Sequence, residues 1–389
     1  MSQNGSSDAG SLPIAVDTMG GDNGYPVQVE GSIKAYKSFG VKTILVGPEK
    51  ELKAKLSDLG GNSYPIEICN ADEVVTMDDS PVRAVRKKPN SSLCVAYNLV
   101  EQGIASSIIS SGNSGAMMAA GRIICGMLPG IDRPAIATLM PTVGDGAPNV
   151  VIDSGANVDC QAKNLIQFAV MGSVYYSTLF DATSPKVALL SNGTEASKGT
   201  DVIRAAAALL SQTEIVNYIG YVEGRDVGSK KVNVIVCDGF VGNVLIKAME
   251  GCVRLLFDQV RHDSYKTFMG KVALRLSKPV YKRVFLEKFD YTAHGGAPLL
   301  GLRKLAVVLH GSSSARAVKN AAKVAHTFAE SKMVDKISSA LTKLEEQIPD
   351  LNSDMIDSML SREDFFPDKQ AGEKKLKFRK VAKANVEEE

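Results

Sequence analysis

The stretch IASSIISSGNSGAMMAAGR, residues 104–122, sets the reading of the whole chain. Its first part, up to Ser110, is short, apolar and β-branched, as a buried strand is. Its last part, from Ala116, is rich in Ala and Met, as helices are. Between them Ser111, Gly112, Asn113, Ser114 and Gly115 are small enough for a sharp turn and a close backbone approach to a ligand. A strand that turns directly into a helix leaves helix-start N–H groups without partners, and those donors suit an anion. The same residues also suit a plain helix cap at Ser114. Recurrence separates the two readings.

The pattern does recur. Strand-like runs at 13–16, 43–46, 65–69, 106–110, 135–140, 150–153, 186–190, 216–220, 232–237 and 305–309 interleave with helix-like runs. The helical runs fall at 27–39, 50–59, 92–102, 116–127, 162–178, 198–210, 241–257 and 315–329. This order predicts an α/β fold, a doubly wound, mostly parallel sheet in a three-layer α/β/α arrangement. After the strands come TMGGDNG (18–24), SGNSG (111–115), DSGANVD (153–159), SNGTEASKG (191–199), DGFVGN (238–243) and HGSSS (310–314). Such loops favour Gly and capping residues in any case. Six of them on one edge predict a shared polar crevice beyond the strand ends. Asp17, Asp22, Asp153 and Asn157 are placed to line it. GGDNG departs from G-x-G-x-x-G, and neither a P-loop nor a G-x-S-x-G elbow occurs.

The 389 residues are 44% apolar and 23% charged with no Trp, an ordinary globular composition with material for a large core. A net charge of +2 gives no global field for nucleic acid. The six cysteines form no C-x-x-C pair and none stands at metal-ligand spacing from a histidine, which reads as reduced thiols in a cytosolic protein. No metal site is expected, although the carboxylates of the crevice leave room for a divalent cation. The start, 1–11, lacks the marks of a signal peptide and reads as disordered, and no run is long and apolar enough to span a membrane. Residues 12–345 read as the catalytic unit, and 346–389 as a variable, partly disordered tail.

Residues 261–289 stand apart, with eight cations against two acids, a net +6. Tyr265, Phe268, Met269, Val272 and Leu276 share one helical face, and Lys271, Arg275 and Lys278 another. Pro279 is expected to end that helix before a second apolar stripe resumes. The stretch reads as a projecting basic amphipathic hairpin, suited to an anionic bilayer, to a dimer mate or to an acidic protein partner.

Several segments together resemble the bacterial phosphate acyltransferases, which move a fatty acyl group from acyl-carrier protein to inorganic phosphate. These are AVDTMGGDNG, SGNSGAMMAA, PGIDRPAIA, GANVDC with LIQFAVMGSVY, VEGRD, VCDGFVGNVLIKAMEG, GGAPLLGL and HGSSSARAVKNA, in order from Ala15 to Ala321. Ser114 stands where the family pattern has Thr, and Thr194 or Ala196 replaces an acidic residue of the 191–199 loop. The resemblance implies a fold like phosphotransacetylases and isocitrate dehydrogenases, a homodimer, and peripheral attachment to the inner face of the cytoplasmic membrane. It also implies action at the start of phospholipid synthesis, feeding a membrane glycerol-3-phosphate acyltransferase. No cofactor is implied beyond the phosphopantetheine carried by the donor. The alternatives are a phosphotransacetylase acting on short acyl-CoA, and a non-catalytic lipid sensor that docks on membranes.

Phosphate attack on a thioester needs the dianion held against the carbonyl and the tetrahedral oxyanion stabilised. His310, Ser312, Asn113 and Asp238 are the catalytic candidates. In the related phosphotransacetylases the loop at His310 holds catalytic residues, and the histidine has the chemistry to move a proton. Ser312 and Ser313 read either as anion donors or as N-caps, and Asp238 either as a group that orients a cation or as a cap. Gly20, Gly21, Asp22, Ser114, Gly115, Asn157, Asn192, Asn243 and Ser313 are candidates for binding substrate, with Arg133 and Lys198 as cations. Phe268, Val272, Leu276, Lys271, Arg275 and Lys278 are the expected contacts with membrane or carrier protein. His294 reads as structural.

Overall fold

A computed structural model of the chain describes residues 12–281, 295–348 and 351. The expected disordered start, the second half of the hairpin (282–289), His294 and the tail beyond 351 lie outside the described residues.

One eleven-stranded sheet organises the fold. Strands β3 (Ile66–Asn70), β2 (Thr43–Gly47), β1 (Ile14–Asp17), β4 (Ser107–Ser110) and β11 (Leu305–Val308) lie side by side and run parallel. Next come β10 (Ala297–Leu300) and β5 (Ala135–Met140), each antiparallel to its neighbours. Strands β6 (Asn149–Ile152), β9 (Val234–Val236), β7 (Lys186–Leu190) and β8 (Asn217–Val222) complete the sheet, parallel to one another. Seven of the ten pairings are parallel, so the sheet is mostly parallel as expected.

The three antiparallel pairings have a consequence that corrects the sequence reading. They reverse the second half of the sheet relative to the first. The loops after β1, β4 and β11 therefore leave one edge, and those after β6, β7 and β9 leave the other. Five of the six Gly-rich loops nevertheless line one cleft, through Asp22, Gly112, Ser154, Asn243 and His310, and the 191–199 loop contributes no lining to it.

Both faces are covered, which is why adjacent strand residues enter different cores. In β4, Ile108 packs with the cluster under α4 (Ser92–Glu101) and α5 (Ser114–Ala120), while Ile109 packs on the opposite face. That opposite face carries α1 (Gly24–Phe39), α2 (Glu49–Asp58) and α10 (Ala315–Glu330). In β6, Val150 and Ile152 face a core built from α6 (Ala162–Phe180), α7 (Asp201–Leu210) and α11 (Met333–Gln347), while Val151 turns to the other side. A short α3 (Pro81–Lys87) packs on α5.

The helix pair within the described residues is not the one expected over 261–289, whose second arm lies outside them. Helix α8 runs unbroken over Gly239–Tyr265, and α9 over Phe268–Tyr281. The chain turns at 266–267, so Tyr265 and Phe268 end and begin separate helices. Pro279 sits inside α9 and does not end it. Of α8, only Gly239, Gly242 and Ile246 are buried, all in its first turns. No helix among the described residues is long and apolar enough to cross a membrane.

Candidate active site

Two polar anchors fix the two loop clusters. The first is Asp17 at the end of β1, 3% exposed. Its Oδ1 accepts from Ser92 Oγ and its Oδ2 from Ser110 Oγ, each at 2.6 Å, and the Met19 N–H adds a third bond. One carboxylate thus ties β1 to the start of α4 and the end of β4. Burial pushes its carboxyl above the ordinary range, and the serine hydroxyls pull it back. The loops beyond touch backbone to backbone, because a Cβ on Gly20 would stand 2.6 Å from the Gly112 nitrogen. Ser111 Oγ donates to the Gly20 carbonyl at 2.9 Å, and the Asp22 N–H to the Gly311 carbonyl at 2.8 Å. The Asn23 side-chain amide reaches the Ser313 carbonyl. The β1, β4 and β11 loops form one rigid rim.

The second anchor is Asp153, fully buried after β6. It accepts from the N–H groups of Ile136, Gly155, Ala156 and Asn157 and from the Asn157 side-chain amide. Burial raises its carboxyl too, against these bonds. Asn157 passes the anchorage on: its carbonyl accepts from the Gly239 N–H at 2.7 Å. Gly242 rests so closely on this loop that a Cβ there would lie 1.9 Å from the Asp153 carbonyl oxygen. The start of α8 is therefore seated on the Asp153 loop, and its position follows from that contact.

A cleft of about 330 Å³ lies between the two clusters, where β10 and β5 join the half-sheets. One end is polar: Asp22, Gly112, Ser114, His310, Gly311 and Ser313. Its walls are largely apolar, from Ile136, Leu139, Ile246, Val308 and Leu309. Asn243, Ile246, Lys247 and Glu250 enter from α8, one helical face by their spacing. A cleft of this size with an apolar wall and a few convergent polar groups is the common form of a small-molecule site.

The HGSSS loop is arranged with specific roles. Ser314 Oγ caps α10 by accepting from the Ala317 N–H, so neither Ser312 nor Ser313 is the cap. Ser312 turns to the histidine: its N–H donates to His310 Nδ1 at 3.2 Å, and its hydroxyl lies 2.8 Å from the same nitrogen. A ring held this way accepts at Nδ1, which puts the proton of the neutral imidazole on Nε2. Ser313 is 2% exposed, and its hydroxyl has no hydrogen-bond partner among the described residues.

Of the residues expected from sequence, Asp22, Ser114, Asn243, His310 and Ser313 line the cleft. Gly20, Gly21 and Ser312 support its rim from behind. Asn113 caps α5 through Oδ1, and its amide nitrogen donates to the carbonyls of Thr76, Met77 and Asp79. Gly115, beside it, packs against Pro81. Asp238 caps α8 by accepting from the Val241 N–H at 2.8 Å. Asn157 is spent on Asp153 and the Pro134 carbonyl. Arg133 is exposed and donates to the Asp159 carbonyl. Asn192 and Lys198 sit in a loop after β7, on the other sheet edge, where Asn192 Oδ1 accepts from the Gly199 N–H. Sequence reasoning missed Thr138 and Ser154, whose hydroxyls meet at 2.7 Å in the cleft, and also Lys247 and Glu250. The i, i+3, i+4, i+7 spacing from Asn243 was the available signal for the last two. Phe268 and Leu276 of α9 stand 79% and 77% exposed, with Lys271, Arg275 and Lys278 exposed beside them. No group of three or more His, Cys, Asp or Glu able to hold a metal occurs among the described residues.

Comparison with known proteins matches this description. The family described as fatty acid synthesis protein covers residues 12–336. A phosphate acyltransferase of Citrifermentans bemidjiense is 44% identical over 333 residues, 85% of this chain and 94% of that protein. One of Clostridium botulinum is 41% identical over 332 residues, 85% of this chain and 98% of that protein. Among solved structures, a phosphotransacetylase from Streptococcus pyogenes shares the fold with a TM-score of 0.55 at 20% identity, covering 84% of this chain and 94% of that one. By the extent of the family match and the identity to these relatives, the chain belongs to the phosphate acyltransferase family and is an acyltransferase.

Proposed function

We propose that this protein transfers a long-chain fatty acyl group from acyl-carrier protein to inorganic phosphate. The observation that carries the reading is the mixed lining of the cleft: a polar rim that includes Ser114, His310 and Gly311, and an apolar wall that includes Ile136, Leu139 and Ile246. The rim suits a small oxyanion and the wall suits the first carbons of an acyl chain. A phosphate oxygen attacks the thioester carbonyl, a tetrahedral oxyanion forms, and the C–S bond breaks to release the carrier's thiolate with an acyl phosphate. A thiolate with a pKa near 8.5 leaves without needing a strong acid. The enzyme's task is then to position two reactants and to meet the oxyanion with fixed donors. His310, with its proton directed to Nε2 by Ser312, serves as one such donor. Ser114 and Ser313 are substrate contacts.

The α8–α9 hairpin supports a carrier-protein or membrane-borne partner, because exposed apolar and cationic side chains alternate along it. This fits a homodimeric protein held peripherally at the inner face of the cytoplasmic membrane, whose acyl phosphate passes to a membrane glycerol-3-phosphate acyltransferase. Incubation of the purified protein with palmitoyl-carrier protein and inorganic phosphate tests the reading. Acyl phosphate formed from the carrier-protein thioester supports it. Product from acetyl-CoA alone, or none from either donor, contradicts it.

A further inference from the structure

Four ionisable side chains border the cleft among the described residues: Asp22, Lys247, Glu250 and His310. Lys247 is the one Lys or Arg in that set, since Arg133 and Lys198 lie elsewhere. It is positioned by more than chance exposure. Gly242 seats α8 against the Asp153 carbonyl, and one turn further on the helix presents Ile246, which is buried, and Lys247 beside it. The Lys247 ammonium rests 2.9 Å from Glu250 Oε2, also on the cleft lining. An ammonium half-exposed at the mouth of a polar cleft, held by a carboxylate one turn away, exchanges that partner for an incoming anion at little cost. Ser114 and Ser313 line the same cleft beside His310, so polar groups from the β4 and β11 loops stand in one cleft with Lys247.

We infer that Lys247 binds a phosphoryl oxyanion in this cleft and that Glu250 competes with that anion for it. This rests on the proposed acyl transfer for the identity of the anion, which is either the acceptor phosphate or the phosphoryl group of the donor's pantetheine arm. The competition gives the two residues opposite effects. Lys247→Gln removes a charge-assisted contact and weakens anion use by about tenfold. Lys247→Arg keeps the charge and stays within a few-fold of the parent protein. Glu250→Gln releases Lys247 and strengthens anion use by about two- to threefold.

The test measures phosphate binding by titration calorimetry on each variant, together with KM for phosphate and KM for palmitoyl-carrier protein. A weaker phosphate Kd and higher phosphate KM in Lys247→Gln, with the reverse in Glu250→Gln, assigns the acceptor site. The same opposed pair in the donor KM, with phosphate binding unchanged, assigns the donor arm. Unchanged phosphate binding and unchanged KM for both substrates, or shifts of the same sign in both variants, overturns the inference while acyl transfer itself stands. A parent protein that makes no acyl phosphate but loses phosphate affinity on Lys247→Gln refutes the proposed reaction and keeps the anion site.

Discussion

Gly242→Ala sets two effects of opposite sign against each other, and the structure decides between them. Gly242 lies in the first turn of α8, where replacing Gly by Ala gains about 0.5–1 kcal/mol of helix propensity. The added Cβ would stand 1.9 Å from the Asp153 carbonyl oxygen and 3.0 Å from Cys237 Sγ. Ordinary contact requires the helix start to move by more than 1 Å, as a rough estimate from atomic packing. That start is pinned by the Gly239 N–H to the Asn157 carbonyl at 2.7 Å and by the Asp238 cap at 2.8 Å. Strain of this kind costs about 1–3 kcal/mol, so a net loss of about 1 kcal/mol is expected. The same displacement moves Asn243, Ile246 and Lys247 at the cleft, and a shift near 1 Å costs about a hundredfold in turnover. Gly251→Ala is the internal control. It lies on the same helix, and a Cβ there meets nothing within 4 Å. Its expected effect is a gain of about 0.5–1 kcal/mol with activity unchanged. Urea denaturation and acyl-phosphate production on both variants decide the matter. Equal stability and full activity in Gly242→Ala would refute the claim that this contact places α8.

Other perturbations probe other parts of the account. His310→Ala should lower turnover by about two orders of magnitude, as loss of an oxyanion donor does, with partial recovery in His310→Gln; a near-normal rate returns the residue to a structural role. Val272→Glu and Leu276→Glu should abolish sedimentation with anionic liposomes and leave turnover on soluble substrates intact, and unchanged sedimentation counts against the docking role of α9. Asp17→Asn keeps an acceptor for Ser92 and Met19 but sets an amide N–H against the Ser110 hydroxyl, and should cost about 1–3 kcal/mol. Because the folded Asp17 holds its proton above the ordinary range, the folded chain binds more protons than the unfolded one just above pH 3.8. Its contribution to stability therefore falls as pH rises through that window. The deficit of Asp17→Asn should shrink as pH rises from about 4 to about 7, and a deficit independent of pH contradicts the assignment.

Local regularity explains what was legible from the residues. The 104–122 stretch reads as strand, turn and helix because hydrophobic burial and small-residue turns leave their mark in adjacent positions, and β4 and α5 follow. The reversal of the half-sheets was not legible. The two antiparallel pairings of β10, a strand absent from the sequence reading, cancel, so the reversal comes from the antiparallel pairing of β5 with β6. Strand direction is a property of long-range pairing, and a six-loop rim drawn without it places Asn192 and Lys198 beside residues they do not meet. The same holds within loops. Asn113, Asp238 and Asn157 have the chemistry of catalytic donors, but the nearest unsatisfied backbone N–H groups and carbonyls claim them first. Ser312, Ser313 and Ser314 are identical in type, and only the geometry divides them into a histidine support, a cleft hydroxyl and a cap.

The central claim is that the cleft between the β4 and β11 loops and the start of α8 holds the acceptor anion. A crystal structure of the protein with phosphate and a non-hydrolysable carrier-arm analogue tests it most directly. The expected result is phosphate in this cleft beside Ser114 and His310, with the analogue's carbonyl on the Ile136–Leu139 side. Phosphate bound instead at the 191–199 loop, with the cleft unoccupied by it, would contradict the account.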